Sequence, residues 1–192
     1  SLTHTYVDDN PSLTASDGET VSVRLTDTDG GAVSASSPVT VRNLAPTDLQ
    51  LDAVSVGGTP VSRGADGRFV VPEGGSITIS GSLRDAGVTD THSVAIDWGD
   101  GTRGDSAVVT RDASDPTLVR FTASHIYVDD DPTTSSSDIY TMTMIASDDD
   151  TGRADEEEEI RVADLAPVVT VGPIAGTTFT TLSRRSRSIS LL

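Results

Sequence analysis

The sequence contains no cysteine, and all thirteen of its basic residues are arginine. Without cysteine there are no disulfides, which leaves either a cytosolic protein or an exported one that is stabilised by something else, such as bound calcium. Aromatic residues make up only 4% of the chain, which predicts that each one is used in a core. No apolar run approaches the roughly 20 residues that a membrane-spanning helix requires, and we expect no membrane insertion in this segment.

Basic charge is also scarce. Thirty acidic residues give a net charge of −17, and aspartate outnumbers glutamate 24 to 6. Phosphate backbones require a basic face, so nucleic acid is excluded as a partner. Short aspartate side chains suit tight turns and rigid sites for cations that prefer oxygen ligands, whereas a merely soluble surface would use glutamate as freely.

Recognisable catalytic motifs are absent as well. The chain has no cysteine nucleophile, no Gly-x-Ser-x-Gly, no His-Glu-x-x-His and no phosphate-binding loop. With thirty carboxylates in the chain, any two of them could be assigned as a catalytic acid and base, so such pairs are no evidence of catalysis. The sequence therefore predicts a non-catalytic protein with no catalytic residues and no organic cofactor.

An internal repeat is the strongest feature of the chain. His-Thr-Tyr-Val-Asp-Asp-Asn-Pro at 4–11 returns as His-Ile-Tyr-Val-Asp-Asp-Asp-Pro at 125–132, a shift of 121 positions. The same shift relates Asp27, Asp29 and Gly31 to Asp148, Asp150 and Gly152, and Leu-Ala-Pro at 44–46 to Leu-Ala-Pro at 165–167. A common register over this span indicates two copies of one folding unit.

The repeat predicts the domain boundaries. Residues 1–46 would be the C-terminal half of one repeat, 47–167 a complete domain, and 168–192 the N-terminal start of a further repeat, as expected for a piece of a longer protein. Alternatively, the two partial ends pair with each other or with neighbouring chains. Proline at each junction restricts the backbone, so the units are predicted to stack end to end as a rod.

Apolar and polar residues alternate with a period of two, which predicts strands that bury one face. No window shows a convincing helical period, and turns rich in glycine and aspartate recur about every ten residues. The strands are expected to form an immunoglobulin-like β-sandwich. Its expected inward positions are Ile77, Ile79, Leu83, Val94, Ile96, Trp98, Val119, Phe121, Tyr140, Met142, Met144, Ile160 and Val162, with Val21, Val23 and Leu25 equivalent in the first copy.

Three landmarks together resemble the PKD (polycystic kidney disease) repeat family. Residues 96–102 read Ile-Asp-Trp-Gly-Asp-Gly-Thr, residues 125–127 read His-Ile-Tyr, and a strand ending in an aspartate-rich turn follows at 139–150. The family turn has the pattern Trp-x-Phe-Gly-Asp-Gly-Thr, so tryptophan stands here at the family's phenylalanine position. The resemblance implies tandem immunoglobulin-like sandwiches and extracellular interaction roles.

Two motifs have structural and chemical interpretations. The turn containing Trp98, Gly99, Asp100 and Gly101 is predicted to be a hairpin, with calcium binding by Asp97 or Asp100 as the alternative. His125 and Tyr127 lie on one strand face and are predicted to form a sandwich corner, with a catalytic or metal-binding pair as the alternative.

Clusters of aspartate at predicted strand ends are candidate calcium ligands, because aspartates at i and i+2 of a turn can bind the same cation. Candidate metal ligands are Asp129, Asp130, Asp131, Asp148, Asp150, Asp27 and Asp29, with Asp85 and Asp90 as secondary candidates. Solvated hairpin tips without any cation are the alternative.

The resulting hypothesis is a structural or adhesive segment of a large extracellular or cell-surface prokaryotic protein. It would act as a rod-like spacer whose partners are neighbouring repeats of the same chain, extracellular proteins or polysaccharide. The alternative is an accessory module that docks a secreted protease or chitinase onto its substrate.

Overall fold

Strands and turns account for all regular structure in the computed structural model, which describes residues 2–9, 13–130 and 134–166. Those ranges contain twelve strands and no helix, and so no helix that could span a membrane. The predicted all-β class is confirmed. The strands are β1 Ser16–Thr26, β2 Ala32–Arg42, β3 Thr47–Val56, β4 Thr59–Val61, β5 Phe69–Pro72, β6 Ser76–Arg84, β7 His92–Asp97, β8 Arg103–Ser106, β9 Val108–Arg111, β10 Leu118–Ile126, β11 Ser137–Asp148 and β12 Arg153–Ala163.

Ten of the strands form two five-stranded sheets. One sheet has the order β4-β3-β6-β10-β9 and the other β5-β12-β11-β7-β8. All neighbours are antiparallel except β5 and β12, which run parallel from the Phe69–Ile160 pair to the Pro72–Ala163 pair. Both sheets contribute side chains to one buried core, as in a β-sandwich.

The core follows the alternation predicted from the sequence. On β6, Ile77 and Ile79 point inward with no exposed surface, while Thr78 between them faces solvent. The aromatic side chains Trp98, Phe121 and Tyr127 are fully enclosed. The fully or almost fully buried members are Val54, Val71, Ile77, Ile79, Leu83, Val94, Ile96, Trp98, Val119, Phe121, Tyr127, Met142, Met144, Ala146, Ile160 and Val162.

The remaining two strands, β1 and β2, form a separate two-stranded antiparallel sheet. By the repeat they correspond to β11 and β12, but their apolar face is open. Val23 is 58% exposed, whereas its equivalent Met144 is fully buried. The difference arises because the opposite five-stranded sheet covers β11, while no strand among the described residues covers β1. Residues 168–192, predicted to start a further repeat, lie outside the described residues.

The turn that follows β7 is held by the buried Trp98 and requires glycine at the next position. Trp98 N donates to Thr102 O at 3.1 Å to close the turn, and Trp98 Nε1 donates to Asp105 Oδ2 at 2.8 Å. Gly99 has φ of +81°, and a Cβ there would lie 2.4 Å from the Thr141 carbonyl oxygen, so this position requires glycine.

The repeated His-x-Tyr motif, at the end of β10, contacts this turn. The His125 ring stacks on Trp98 with centroids 4.6 Å apart, and its Nε2 lies 2.7 Å from Asp100 Oδ2. The Tyr127 hydroxyl is buried and donates to the Trp98 carbonyl oxygen at 3.0 Å. These contacts tie the two sheets together at one corner.

Replacing Tyr127 with phenylalanine should destabilise the protein by about 1–3 kcal/mol, because the buried Trp98 carbonyl would lose its side-chain donor. Chemical denaturation measures this change. Tyr140→Phe is the matched control, since its hydroxyl bonds Asp129 O at 3.2 Å in an exposed position and its loss should cost roughly 0.5 kcal/mol or less. Equal effects of the two substitutions would contradict the corner role of Tyr127.

Candidate metal centre at the repeat junction

The two aspartate-rich hairpin turns have the same internal structure. In the turn before β2, Asp27 Oδ1 accepts from Asp29 N at 3.1 Å and from Gly31 N at 2.6 Å. In the turn before β12, Asp148 Oδ1 accepts from Asp150 N at 3.0 Å and from Gly152 N at 2.6 Å. The first aspartate of each turn therefore stabilises that turn by accepting hydrogen bonds from backbone N–H groups.

The surroundings of the two turns differ. The Asp27 turn is exposed, whereas the Asp148 turn lies against the first repeat copy. Asn43 Nδ2 donates to Asp148 Oδ2 at 2.8 Å, and Leu13 N donates to Asp150 Oδ1 at 2.7 Å and to Asp149 O at 3.1 Å. The turn thus belongs to a junction between the two copies.

The loop between β6 and β7 forms the other side of this junction. Thr89 Oγ1 donates to Asp8 Oδ2 at 2.8 Å, and Thr91 N donates to Asp149 Oδ1 at 2.8 Å. Asp8 belongs to the first copy of the repeated phrase, so the loop contacts both copies.

Carboxylates converge where these segments meet. Asp8, Asp90 and Asp150 each place one oxygen within 4.8 Å of the others, and Asp85, Asp90 and Asp148 form an overlapping group that satisfies the same limit. Asp90 belongs to both groups. Three carboxylates at this separation repel unless a proton, donor or cation intervenes.

Two of these side chains are buried with vacant oxygens. Asp90 is only 5% exposed, and neither of its carboxylate oxygens has a hydrogen-bond partner. Asp150 is fully buried, and its Oδ2 is likewise without a partner. Burying a carboxylate without donors or a counter-charge is strongly unfavourable.

The pKa values of both buried carboxylates, Asp90 and Asp150, are raised. Burial, together with the negative charges of Asp85, Asp8, Asp149 and Asp148, raises the pKa of Asp90 to about 7. Burial also raises the pKa of Asp150, and the nearby Asp9, Asp149 and Asp8 add to the shift against the opposing hydrogen bond from Leu13.

Arg111 approaches Asp90 but leaves its carboxylate unpaired. Its guanidinium donates to the backbone carbonyls of Gly87, at 3.1 Å, and Asp90, at 2.6 Å. The positive charge therefore holds the loop in shape without binding the Asp90 side chain.

The overlapping group is already supplied with donors. Asp85 Oδ1 accepts from Gly87 N at 2.8 Å, and Asp85 Oδ2 shares a 2.8 Å hydrogen bond with His92 Nε2. Both Asp148 oxygens also accept hydrogen bonds. Buried oxygens without a hydrogen-bond partner are found on Asp90, which both groups share, and on Asp150, which belongs to the first group.

A second carboxylate cluster lies at the opposite end of the sandwich. Glu73, Asp129 and Asp130 each place one oxygen within 4.8 Å of the others, and Asp130 Oδ2 is buried without a partner. Burial first, and then the charges of Glu73, Asp138, Asp164 and Asp129, raise the pKa of Asp130. Asp129 and Asp130 are the repeat equivalents of Asp8 and Asp9.

The predicted metal ligands are thus distributed over several places. Asp148 and Asp150 lie at the junction, and Asp129 and Asp130 lie in the second cluster. Asp27 and Asp29 lie in the exposed turn, outside the carboxylate groups formed by the described residues, and Asp131 lies outside those residues.

The turn aspartates considered as alternatives have other partners. Asp97 bonds Gly99 N and pairs with Arg103, and Asp100 bonds Thr102 N and His125. Sequence reasoning missed Asp8 and Glu73. The signal for Asp8 was present, because it matches the candidate Asp129 in the repeat.

Comparison with known proteins adds no relative to this description. No family model matches the chain, and no curated protein matches it. The PKD resemblance therefore depends on the quoted motifs and on the repeat.

Proposed function

We propose that this chain is a non-catalytic structural segment of tandem PKD-like, immunoglobulin-like sandwiches from a large extracellular or cell-surface prokaryotic protein. The segment acts as a stiff spacer, and its immediate partners are neighbouring repeats of the same chain. The observation that carries this proposal is the junction, where side-chain and backbone groups of one repeat copy bond the loops of the next.

Three features of the junction support stiffness. Leu13 and Asn43 of the first copy each bond the Asp148–Asp150 turn, and they flank the open end of the β1–β2 hairpin, one beside each strand. The connecting segment at 44–46 is short, and its Pro46 is buried. Gly152 packs so closely that a Cβ there would lie 2.7 Å from Ala45 Cα. A linker this short and this closely packed restricts rotation between the copies.

The burial of aromatic residues favours a spacer over a module that docks a hydrolase onto polysaccharide. Stacking on a sugar requires exposed rings, and Trp98, Phe121 and Tyr127 are all enclosed in the core. The prediction that each aromatic residue is used in a core is wrong for Tyr6, which is 36% exposed, but a single exposed ring does not form the row of rings that such docking requires. Contacts with extracellular proteins or polysaccharide would then use polar side chains of the acidic surface.

The proposal is tested by measuring the distance between the copies. Because the chain has no cysteine, two can be introduced at the exposed positions Ser34 on β2 and Thr110 on β9 and spin-labelled. With 1 mM calcium present, we expect one narrow distance distribution. Asn43→Ala should broaden it, because the bond to Asp148 is lost.

Gln50→Ala is the matched control. It also removes an amide, but one that bonds Asp52 on β3, away from the junction. A broad distribution in the parent chain in this buffer would contradict the spacer function.

A further inference from the structure

We propose that a divalent cation, calcium by the chemistry of its ligands, binds at Asp8, Asp90 and Asp150 and bridges the two repeat copies. The stiffening effect of this cation rests on the proposed spacer function, whereas its binding does not. The ligands come from three separate segments: the first copy, the loop between β6 and β7, and the turn between β11 and β12.

The buried, vacant oxygens of Asp90 and Asp150 point to a ligand independently of the clustering. Exposed acidic groups are hydrated and need no cation, but these two side chains are withdrawn from water. Ion pairs among the described residues involve neither of them. The Asp90 carboxylate lacks both a donor and a counter-charge, and Asp150 has one donor, Leu13 N, on Oδ1 and none on Oδ2. A coordinated cation stabilises buried carboxylates of this kind most directly.

The ligand set favours calcium over the other common divalent ions. All three side chains offer oxygen, the chain has no cysteine, and His92 is already bonded to Asp85. Zinc prefers nitrogen and sulfur ligands. Magnesium requires a near-ideal octahedron and retains water, while calcium accepts six to eight oxygens in irregular geometry. Asp9, which is buried beside this group, offers a further vacant oxygen at Oδ2.

Removal of the cation is expected to open the junction and leave the sandwich folded. The three carboxylates lie outside the hydrophobic core, and they would repel one another across the interface once the positive charge is lost. The cation would therefore set the mobility of one repeat relative to the next, while apolar burial maintains each sandwich.

Calorimetric titration of the EDTA-stripped full chain with calcium chloride tests the binding. We expect saturable binding that Asp90→Asn and Asp150→Asn each weaken at least tenfold, with magnesium also binding at least tenfold more weakly than calcium. Asparagine retains the shape of aspartate and removes the buried charge, so both variants should fold, as far-UV circular dichroism checks. Asp155→Asn on β12 removes an exposed charge and is the matched control.

Absence of calcium binding would overturn the proposal, as would unchanged affinity in both junction variants. The Ser34–Thr110 spin-label distances separate this outcome from failure of the spacer function. We expect a narrow distribution with calcium and a broad one with EDTA. A distribution that is narrow in both buffers would overturn the bridging role of the cation alone, and one that is broad in both would overturn the spacer.

Discussion

Replacement of Trp98 with alanine should reduce the free energy of unfolding by about 3–5 kcal/mol, the usual cost of truncating a large aromatic residue in a packed core. Trp98 is fully buried. Its ring stacks on the His125 ring with centroids 4.6 Å apart and is perpendicular to the Tyr127 ring with centroids 6.5 Å apart. Its truncation would leave a cavity at the corner where the two sheets meet. It would also deprive Asp105 Oδ2 of the indole donor.

The matched variant is Trp98→Phe, which keeps an aromatic ring in the cavity and removes only the N–H donor and part of the volume. We expect it to lose roughly 1–2 kcal/mol, the range of one buried hydrogen bond and a small void. Urea denaturation followed by far-UV circular dichroism measures both variants. A loss below about 1 kcal/mol for the alanine variant would show that the corner is not packed as described.

Replacement of Gly81 with alanine should be similarly severe, although it adds only one methyl group. Gly81 lies in the middle of β6, and a Cβ there would lie 2.1 Å from Phe121 Cζ and 2.5 Å from the Gln50 carbonyl oxygen. The phenyl ring is enclosed in the core, and the carbonyl belongs to the paired strand β3, so neither can move away freely. We expect a loss of about 3 kcal/mol, at the upper end for overpacked sites.

Gly18→Ala on β1 is the matched control, because a Cβ at Gly18 meets no atom within 4 Å. That substitution should leave stability unchanged or raise it slightly, since alanine restricts the unfolded chain. Thermal melts of the two variants give the comparison. Similar melting temperatures for both would contradict the close approach of β6 to Phe121.

Much of the sandwich could be predicted from the sequence because its determinants are local. A period of two between apolar and polar residues places Ile77 and Ile79 on one face of a strand whatever its neighbours are. Strand pairing depends on distant segments, and no local pattern indicates that β5 pairs in parallel with β12.

The junction is predictable only in part for a related reason. Asp148 and Asp150 can be recognised as candidate ligands from the sequence because they share one turn. Their partners Asp90 and Asp8 lie far away in the chain. The repeat marks Asp8 as important without indicating that it contacts the loop between β6 and β7. Burial distinguishes Asp90 from other aspartates, and burial depends on packing between segments.

The parallel pairing of β5 with β12 has a mechanical consequence. β12 is the last described strand of the sandwich, and β5 belongs to its N-terminal part. Once β3 and β4, which precede β5, have been pulled away, tension along the chain would draw the end of β12 and the beginning of β5 in opposite directions, parallel to the strand axes. The four residue pairs between them would be sheared together instead of separating one at a time. This arrangement resists extension more strongly than a hairpin opened from its end.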